Sequence, residues 1–312
     1  MNIQTEQIVS MPVVNPETGA SSRTFRYVGR ADRIEGTALI DWKTVADIPR
    51  FIQTSKLGFQ NELYALAIGE SIDRVSYRLI TRPTIKLCGK DKTPQDYEER
   101  CVEWLTQPNK MEEHELFLNP AKFEQARAWL WQCSKRILES RNKLRWLPNN
   151  MACYTWTREC EYMPLCMAIA NGGDPETIIE AAYQSREAVH AELNKDANKD
   201  VLTYSSCSCL CLCEQKYHWR FERLVEPVVE DDSEAREVGS VSHVALDAFT
   251  NGGIEAAREA VGDWVLCHPA IGQEATKQDQ RVAQALAIAR AAFIRWPVSA
   301  GREVAAAVGC CP

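Results

Sequence analysis

Residues 23–44 read RTFRYVGRADRIEGTALIDWKT. Two alternating runs flank Glu35-Gly36, a tight-turn pair, so the stretch reads as a β-hairpin. Along its second strand, alternation puts Asp41 and Lys43 on one face and Trp42 on the other. The hairpin partner can bring Asp32 against Asp41. Two carboxylates with a backbone carbonyl, that of Trp42, make a hard oxygen site suited to Mg²⁺ or Mn²⁺. A lysine beside such a site can orient an attacking water and offset charge developing on a phosphate. By itself a D-x-K triplet on an exposed strand reads as a solvated ion pair, because such triplets are common. Here Ala38, Leu39 and Ile40 make an apolar approach to the charges, as in a buried strand whose end opens into a site.

Working outward, VSMPVV at 9–14 is β-prone and NPETG at 15–19 is a turn. From Lys56 to Ile68 apolar residues recur at helical spacing, with Gln60 and Tyr64 at i and i+4 on one face. VSYRLITRPTIKL at 75–87 reads as a strand whose end Pro83 pushes to an edge or bulge. Residues 94–106 and 120–147 read as helices, and Pro148, Asn149 and Asn150 as a loop. NGGDPE breaks the chain near 171, a helix is expected over 175–193, and NKDANKD is polar and patternless. Most of 203–296 reads as helix, capped by Ser205 or Ser206, with further helices at Val238–Phe249 and Gln273–Trp296. The expected fold is α/β: a small mixed sheet with flanking helices plus a helical C-terminal region. The expected division is a core at 1–167, a linker at 168–202 and a helical segment at 203–312.

The chain has 312 residues, 45% of them hydrophobic and 25% charged, which is ordinary globular composition. No stretch approaches the roughly 20 apolar residues of a membrane span. The start, MNIQTEQIVSMPVV, lacks the basic and apolar regions of an export signal, so a cytoplasmic location is expected. A net charge of −7 argues against a surface coated in basic residues, though a local basic groove would not register in the total. There is no G-x-x-x-x-G-K-[ST] and no G-x-S-x-G, so neither a P-loop motor nor a nucleophile elbow is expected.

The 13 cysteines then point to metal ligation or buried thiols rather than a disulfide framework. They are grouped: Cys153, Cys160 and Cys166 form one set, Cys207, Cys209, Cys211 and Cys213 another, and Cys310 and Cys311 end the chain. On one helix Cys207, Cys209 and Cys211 cannot all face one way. Cys88, Cys101, Cys133 and Cys267 read as core thiols. Zinc is open to three or four cysteines, although short C-x2-C knuckles are absent.

Taken together, G-x-x-D at Gly29–Asp32, D-x-K-T at Asp41–Thr44 and Q-x-x-x-Y at Gln60–Tyr64 resemble the PD-(D/E)XK nuclease superfamily. The branch resembled is the RecB-like exonucleases, including phage members and CRISPR-adaptation nucleases with an iron–sulfur cluster. The resemblance implies a restriction-endonuclease-like core in which Asp32 and Asp41 bind Mg²⁺ or Mn²⁺. It further implies that Lys43 serves the water and that Gln60 and Tyr64 steady the site or the DNA end. NNMACYTWTRECEYMPLC, with C-x6-C-x5-C, is similar to the last three cysteines of iron–sulfur members. Their fourth thiolate comes from far away in sequence, and LTYSSCSCLCLCEQKYHWRFERLVEP, with Cys213 four residues before Tyr217, resembles the segment that opens these nucleases. The resemblance implies Cys153, Cys160, Cys166 and Cys213 as ligands of a 4Fe–4S cluster. Gly239–Leu246, GSVSHVAL, resembles the family's G-S-x-x-H-x-x-L helix, whose histidine, here His243, is a further metal ligand.

The motif order departs from the family, which places the cysteine and histidine helices before the aspartate hairpin. Here the ending SAGREVAAAVGCCP would lead naturally into TEQIVSMPVV. A circular permutant, the tail of one nuclease fused to the head of another, and a remnant that no longer cleaves all follow from that order. A permutant should bring Met1 and Pro312 close together. The expected function is metal-dependent hydrolysis of DNA, by an exonuclease acting on ends or single strands in phage or bacterial DNA processing, beside recombination or replication proteins. The alternative is an inactive nucleic-acid-binding or scaffold remnant of the same fold.

Overall fold

The computed structural model describes residues 3–69, 71–155, 158–186, 198–228, 234–267 and 273–296. Strands β1 (Ile3–Val14), β2 (Ser21–Glu35) and β3 (Ala38–Val45) come first, followed by helices α1 (Ile48–Ser55) and α2 (Gln60–Ile68). Next are β4 (Arg74–Thr81), α3 (Pro94–Leu105), β5 (Met111–Phe117) and α4 (Pro120–Lys143). The short strands β6 (Tyr154–Thr155) and β7 (Arg158–Glu159) precede α5 (Met163–Ala170), α6 (Pro175–Ala182), β8 (Tyr183–Ser185) and β9 (Asp200–Leu202). Last come α7 (Tyr204–Leu212), α8 (Glu214–Tyr217), β10 (Val225–Pro227), α9 (Glu234–Cys267) and α10 (Gln273–Arg295). The main sheet runs β1-β2-β3-β4-β5, with β9 joined to β2. β1 pairs β2 antiparallel while β9 pairs it in parallel, Phe25 with Asp200 and Tyr27 with Leu202. The sheet is therefore mixed and flanked by helices, as expected. No described helix is long and apolar enough to cross a membrane.

Local chemistry sets the boundaries. Asn15 closes the first turn by accepting the N–H of Glu17 at its side chain and that of Gly19 at its carbonyl. Gly36, at φ 61°, provides the left-handed turn residue between β2 and β3. Asp47 accepts from the Arg50 N–H and starts α1, so the expected 56–68 helix begins only at Gln60. Thr93 and Asp96 form a capping box on α3. α4 stops at Lys143, short of 147, because Leu144 turns left-handed at φ 47°. The cap of α7 is Thr203, not Ser205 or Ser206. Ser206 is its reciprocal partner three residues on. The expected 175–193 helix ends at Ala182 and the chain enters β8, and the strand expected to reach Leu87 ends at Thr81. Cys101 and Cys133 are buried as expected. Cys88 and Cys267 are exposed, so they are not core thiols.

The chain divides into two compact units, and the division falls inside β3, between Leu39 and Ile40. The first comprises Met1–Leu39, Gly58–Arg74 and Phe117–Asp232. In it, Lys122 at the head of α4 pairs at 2.7 Å with the buried Glu62 of α2 and donates to the Gly58 carbonyl. Tyr162, Leu165, Tyr183, Trp219 and Val225 form a small core beside Cys160 and Cys166.

The second unit comprises Ile40–Leu57, Val75–Leu116 and Ser233–Pro312. Its core joins Trp42 of β3, Ile80 of β4 and Tyr97 of α3 to Val238, Val241 and Ala245 of α9 and the buried alanines of α10. Those alanines, among them Ala285, Ala287 and Ala289, let the helices approach closely. α9 is broken at Gly253, whose φ of 74° no helix residue adopts. The termini, at which the proximity of Met1 and Pro312 was expected, lie outside the described residues.

Candidate active site and cysteine centre

In the second unit, β3 carries Asp41 almost fully buried, at 4% exposure. Lys43 reaches back along the same strand face, its Nζ 3.0 Å from Oδ1 and 2.9 Å from Oδ2 of Asp41. Trp42 points away into the apolar core and meets Trp296 edge-on at 5.5 Å, with the Arg78 guanidinium over its ring. The alternation read in the sequence is thus realised. At the end of the strand, Thr44 Oγ1 lies 3.4 Å from where a Cβ on Gly239 would stand. His243 is four residues after Gly239 on α9, one turn further along that side of the helix. The GSVSH segment therefore packs beside the D-x-K strand although some 200 residues separate them.

In the first unit, Asp32 is half-buried on β2. Gln60 donates to the Tyr64 hydroxyl at 3.1 Å, so the Q-x-x-x-Y pair is joined. Gly29 explains its own presence. A Cβ there would stand 2.4 Å from Cε1 and 2.9 Å from Cδ1 of Tyr64. The absent side chain lets the tyrosine ring lie on β2, three residues from Asp32. Burial, with Tyr64, Cys207 and Tyr204 nearby, raises the neighbouring Tyr27 hydroxyl well above its usual range.

Cys153, Cys160, Cys166 and Cys213 all belong to the first unit. Burial pushes the Cys166 thiol up to about 11, the Trp219 indole N–H draws it down, and Cys160, Cys213 and Cys153 raise it further. Cys160 is raised by burial and eased by the Tyr162 backbone N–H and by Lys216. The sulfur of Cys213 accepts the Asn149 backbone N–H at 3.4 Å, and the Cys160 N–H bonds to the Cys153 carbonyl at 2.8 Å. N–H groups thus face the sulfurs of Cys160, Cys166 and Cys213. Lys216 and Arg220 both pair with Glu161 alongside. Cys209 joins this side, near Cys213, whereas Cys211 turns to Cys133 at an Sγ–Sγ distance of 3.8 Å. Among the described residues no group of three or more His, Cys, Asp or Glu is set to hold a metal ion.

Sequence reasoning missed the donors Asn149 and Tyr162, because a backbone N–H carries no residue signature, and the Trp219 indole, which is distant in sequence from Cys166. It also missed Glu214, which fixes Cys213 by accepting the Leu147 N–H at 3.0 Å and pairing with Arg136. An acid directly after a cysteine was the available signal.

The family model of the PD-(D/E)XK nuclease superfamily matches residues 3–167, more than half of the chain, and the protein belongs to that superfamily. Comparison with curated proteins and with solved structures finds no match. Superfamily membership makes the protein a nuclease by class, and such nucleases generally use Mg²⁺ or Mn²⁺.

Proposed function

We propose that the protein is a Mg²⁺- or Mn²⁺-dependent deoxyribonuclease, an exonuclease of RecB-like type that completes its own site from a permuted chain. The observation that carries this reading is the Lys43–Asp41 pair at the end of β3, with the GSVSH turn of α9 beside it. Hard oxygen donors suit the ion: the carboxylates of Asp32 and Asp41 and the carbonyl of Trp42 would hold it, with His243 as the further ligand. The bound cation supplies Lewis-acid polarisation of the phosphate and a more acidic water. Lys43 orients that water and offsets charge on the phosphate oxygens. Gln60 holds the Tyr64 hydroxyl so that the tyrosine steadies the DNA end. The permuted arrangement is supported by α9 and α10, which share a core with Trp42 and Ile80 rather than standing apart. On this reading residues 1–167 are the core, 168–202 the linker and 203–312 the segment that other members carry first. The setting is phage or bacterial DNA processing in a cytoplasm, beside recombination or replication proteins.

The same reading includes a 4Fe–4S cluster on Cys153, Cys160, Cys166 and Cys213. Four cysteine thiolates are the donor set such a cluster would take. N–H groups at three of the four sulfurs suit an anionic cluster. Cys153, Cys160 and Cys166 on one segment and Cys213 at the end of α7 would hold it, and the cluster would then tie the two together.

The test is degradation of end-labelled duplex and single-stranded DNA with Mg²⁺, Mn²⁺ or chelator. Metal-dependent release of nucleotides from an end is expected, lost in Asp41→Ala. Nicking of closed circles at the same rate would reject the exonuclease assignment. No cleavage under any condition would leave the inactive remnant.

A further inference from the structure

Beyond the cleavage site, the second unit holds a cavity of about 540 Å³, a volume ordinary for a ligand site. One wall is the loop after β4, with Arg82, Thr84 and Lys86. The other is α10, with Lys277, Gln280 and Arg281. The lining thus carries four cationic side chains and, among the described residues, no carboxylate, in a chain whose net charge is −7. Lys277 and Arg281 are i and i+4 and share a helix face.

The two walls are tied through one buried hydroxyl. Tyr97, fully buried on α3, donates to the Ile85 carbonyl of the loop at 2.8 Å. The same oxygen accepts from Gln280 at 3.1 Å and from Gln284 at 2.9 Å, both on α10. Burial pushes the Tyr97 hydroxyl up to about 12, so it remains protonated and able to donate. Further along the loop, Arg100 donates to the Lys86 carbonyl and pairs with Asp91. At its start, the Arg82 N–H bonds to the Val45 carbonyl at 2.9 Å, two residues beyond Lys43 on β3. The cavity is therefore held open by its own hydrogen bonds and begins one strand over from the D-x-K sequence.

We propose that this cavity binds the backbone phosphates of a single nucleic-acid strand, holding the substrate independently of the divalent metal. The identity of the ligand rests on the nuclease reading; the phosphate chemistry rests on the cavity alone. Guanidinium and ammonium groups with amide and hydroxyl donors suit phosphate oxygens and read no base.

The experiment measures anisotropy of a labelled oligothymidylate with the full chain in chelator, across a salt series. The variants are Lys86→Gln with Lys277→Gln, and separately Thr84→Glu, which places a negative charge in the cavity. All three positions are exposed, and thermal melting checks that the variants fold. Loss of two phosphate contacts should weaken binding on the order of tenfold and flatten the slope of log K against log salt by about 1.4. Thr84→Glu should weaken binding as well. Wild-type affinity and slope in both variants would overturn the proposal. So would displacement of the strand by pyrophosphate mole for mole, which would mark a site for free phosphate. Cleavage is assayed separately with Mg²⁺. If binding falls in the variants but wild-type protein never cleaves, the nuclease reading fails and the strand-binding cavity stands.

Discussion

At the residue scale, the proposed chemistry rests on Asp41 and Lys43. Asp41 is buried with a cation on both carboxylate oxygens, and a crowded, desolvated acid is costly to keep. Asp41→Ala should abolish Mg²⁺-dependent cleavage while leaving the melting temperature within a few degrees of wild type. Lys43→Met should lower the cleavage rate on the order of 10²–10³-fold, the loss typical of one positioned donor. Equal rates for Lys43→Met and wild type would remove the lysine from the mechanism. Gly29 gives a steric counterpart. Gly29→Ala forces Tyr64 off β2, at a cost of about 1–3 kcal/mol for an overpacked contact, and in a Tyr64→Ala background the same Gly29→Ala change should cost far less in urea unfolding. His218 supplies a pH signature. Burial lowers it from 6.5 to about 4, followed by Arg223, against Glu222 and Glu176, while its ring stacks on Trp146. The unfolded chain then binds this proton more readily than the folded one. Stability should fall as pH drops from about 6.5 toward 4, and His218→Gln should flatten that part of the profile.

At the element scale, the helices and the central hairpin were legible because their signals are local. Glu35-Gly36 marks the turn, Gln60 and Tyr64 share a helix face, and Asn119-Pro120 opens α4 with a cap and an N1 proline. The missed elements have no local signal. β5 is MEEHELF, with three glutamates and mostly exposed, and it joins the sheet beside β4 as an outer strand. β8, β9 and β10 are three residues each, and their partners, not their propensities, make them strands. The basic cavity was invisible for a related reason, since its walls are about 190 residues apart in sequence. α2 and α4 depend on the buried Glu62–Lys122 pair. Lys122→Met alone strands a buried carboxylate and should cost about 3 kcal/mol. Adding Glu62→Leu should restore most of it, and a double variant no better than the single one would show the pair to be incidental.

At the scale of the whole molecule, the proposed permutation is tested at the GSVSH turn, which lies beside Thr44. His243→Ala should lower Mg²⁺-dependent cleavage sharply in a chain that completes its own site. In a fused fragment it should change nothing. Iron supplies an independent check: purified protein should be brown with iron and acid-labile sulfide, and Cys213→Ser should remove the colour. Colourless protein carrying zinc would assign the thiols to a structural zinc site instead.

The parallel pairing of β9 with β2 joins residues about 175 positions apart. On the ribosome, the stretch matched by the family model is fully synthesised before Asp200–Leu202 exists to cover Phe25–Tyr27. For that interval β2 presents open backbone donors and acceptors, the template on which strands of other chains pair. A chain truncated after residue 167 should accordingly aggregate or need a chaperone, whereas one extended through 296 should be recovered in soluble form. The β9–β2 pairing thus postpones closure of the sheet until nearly two thirds of the chain has emerged. It makes translation pace and chaperone capture determinants of yield.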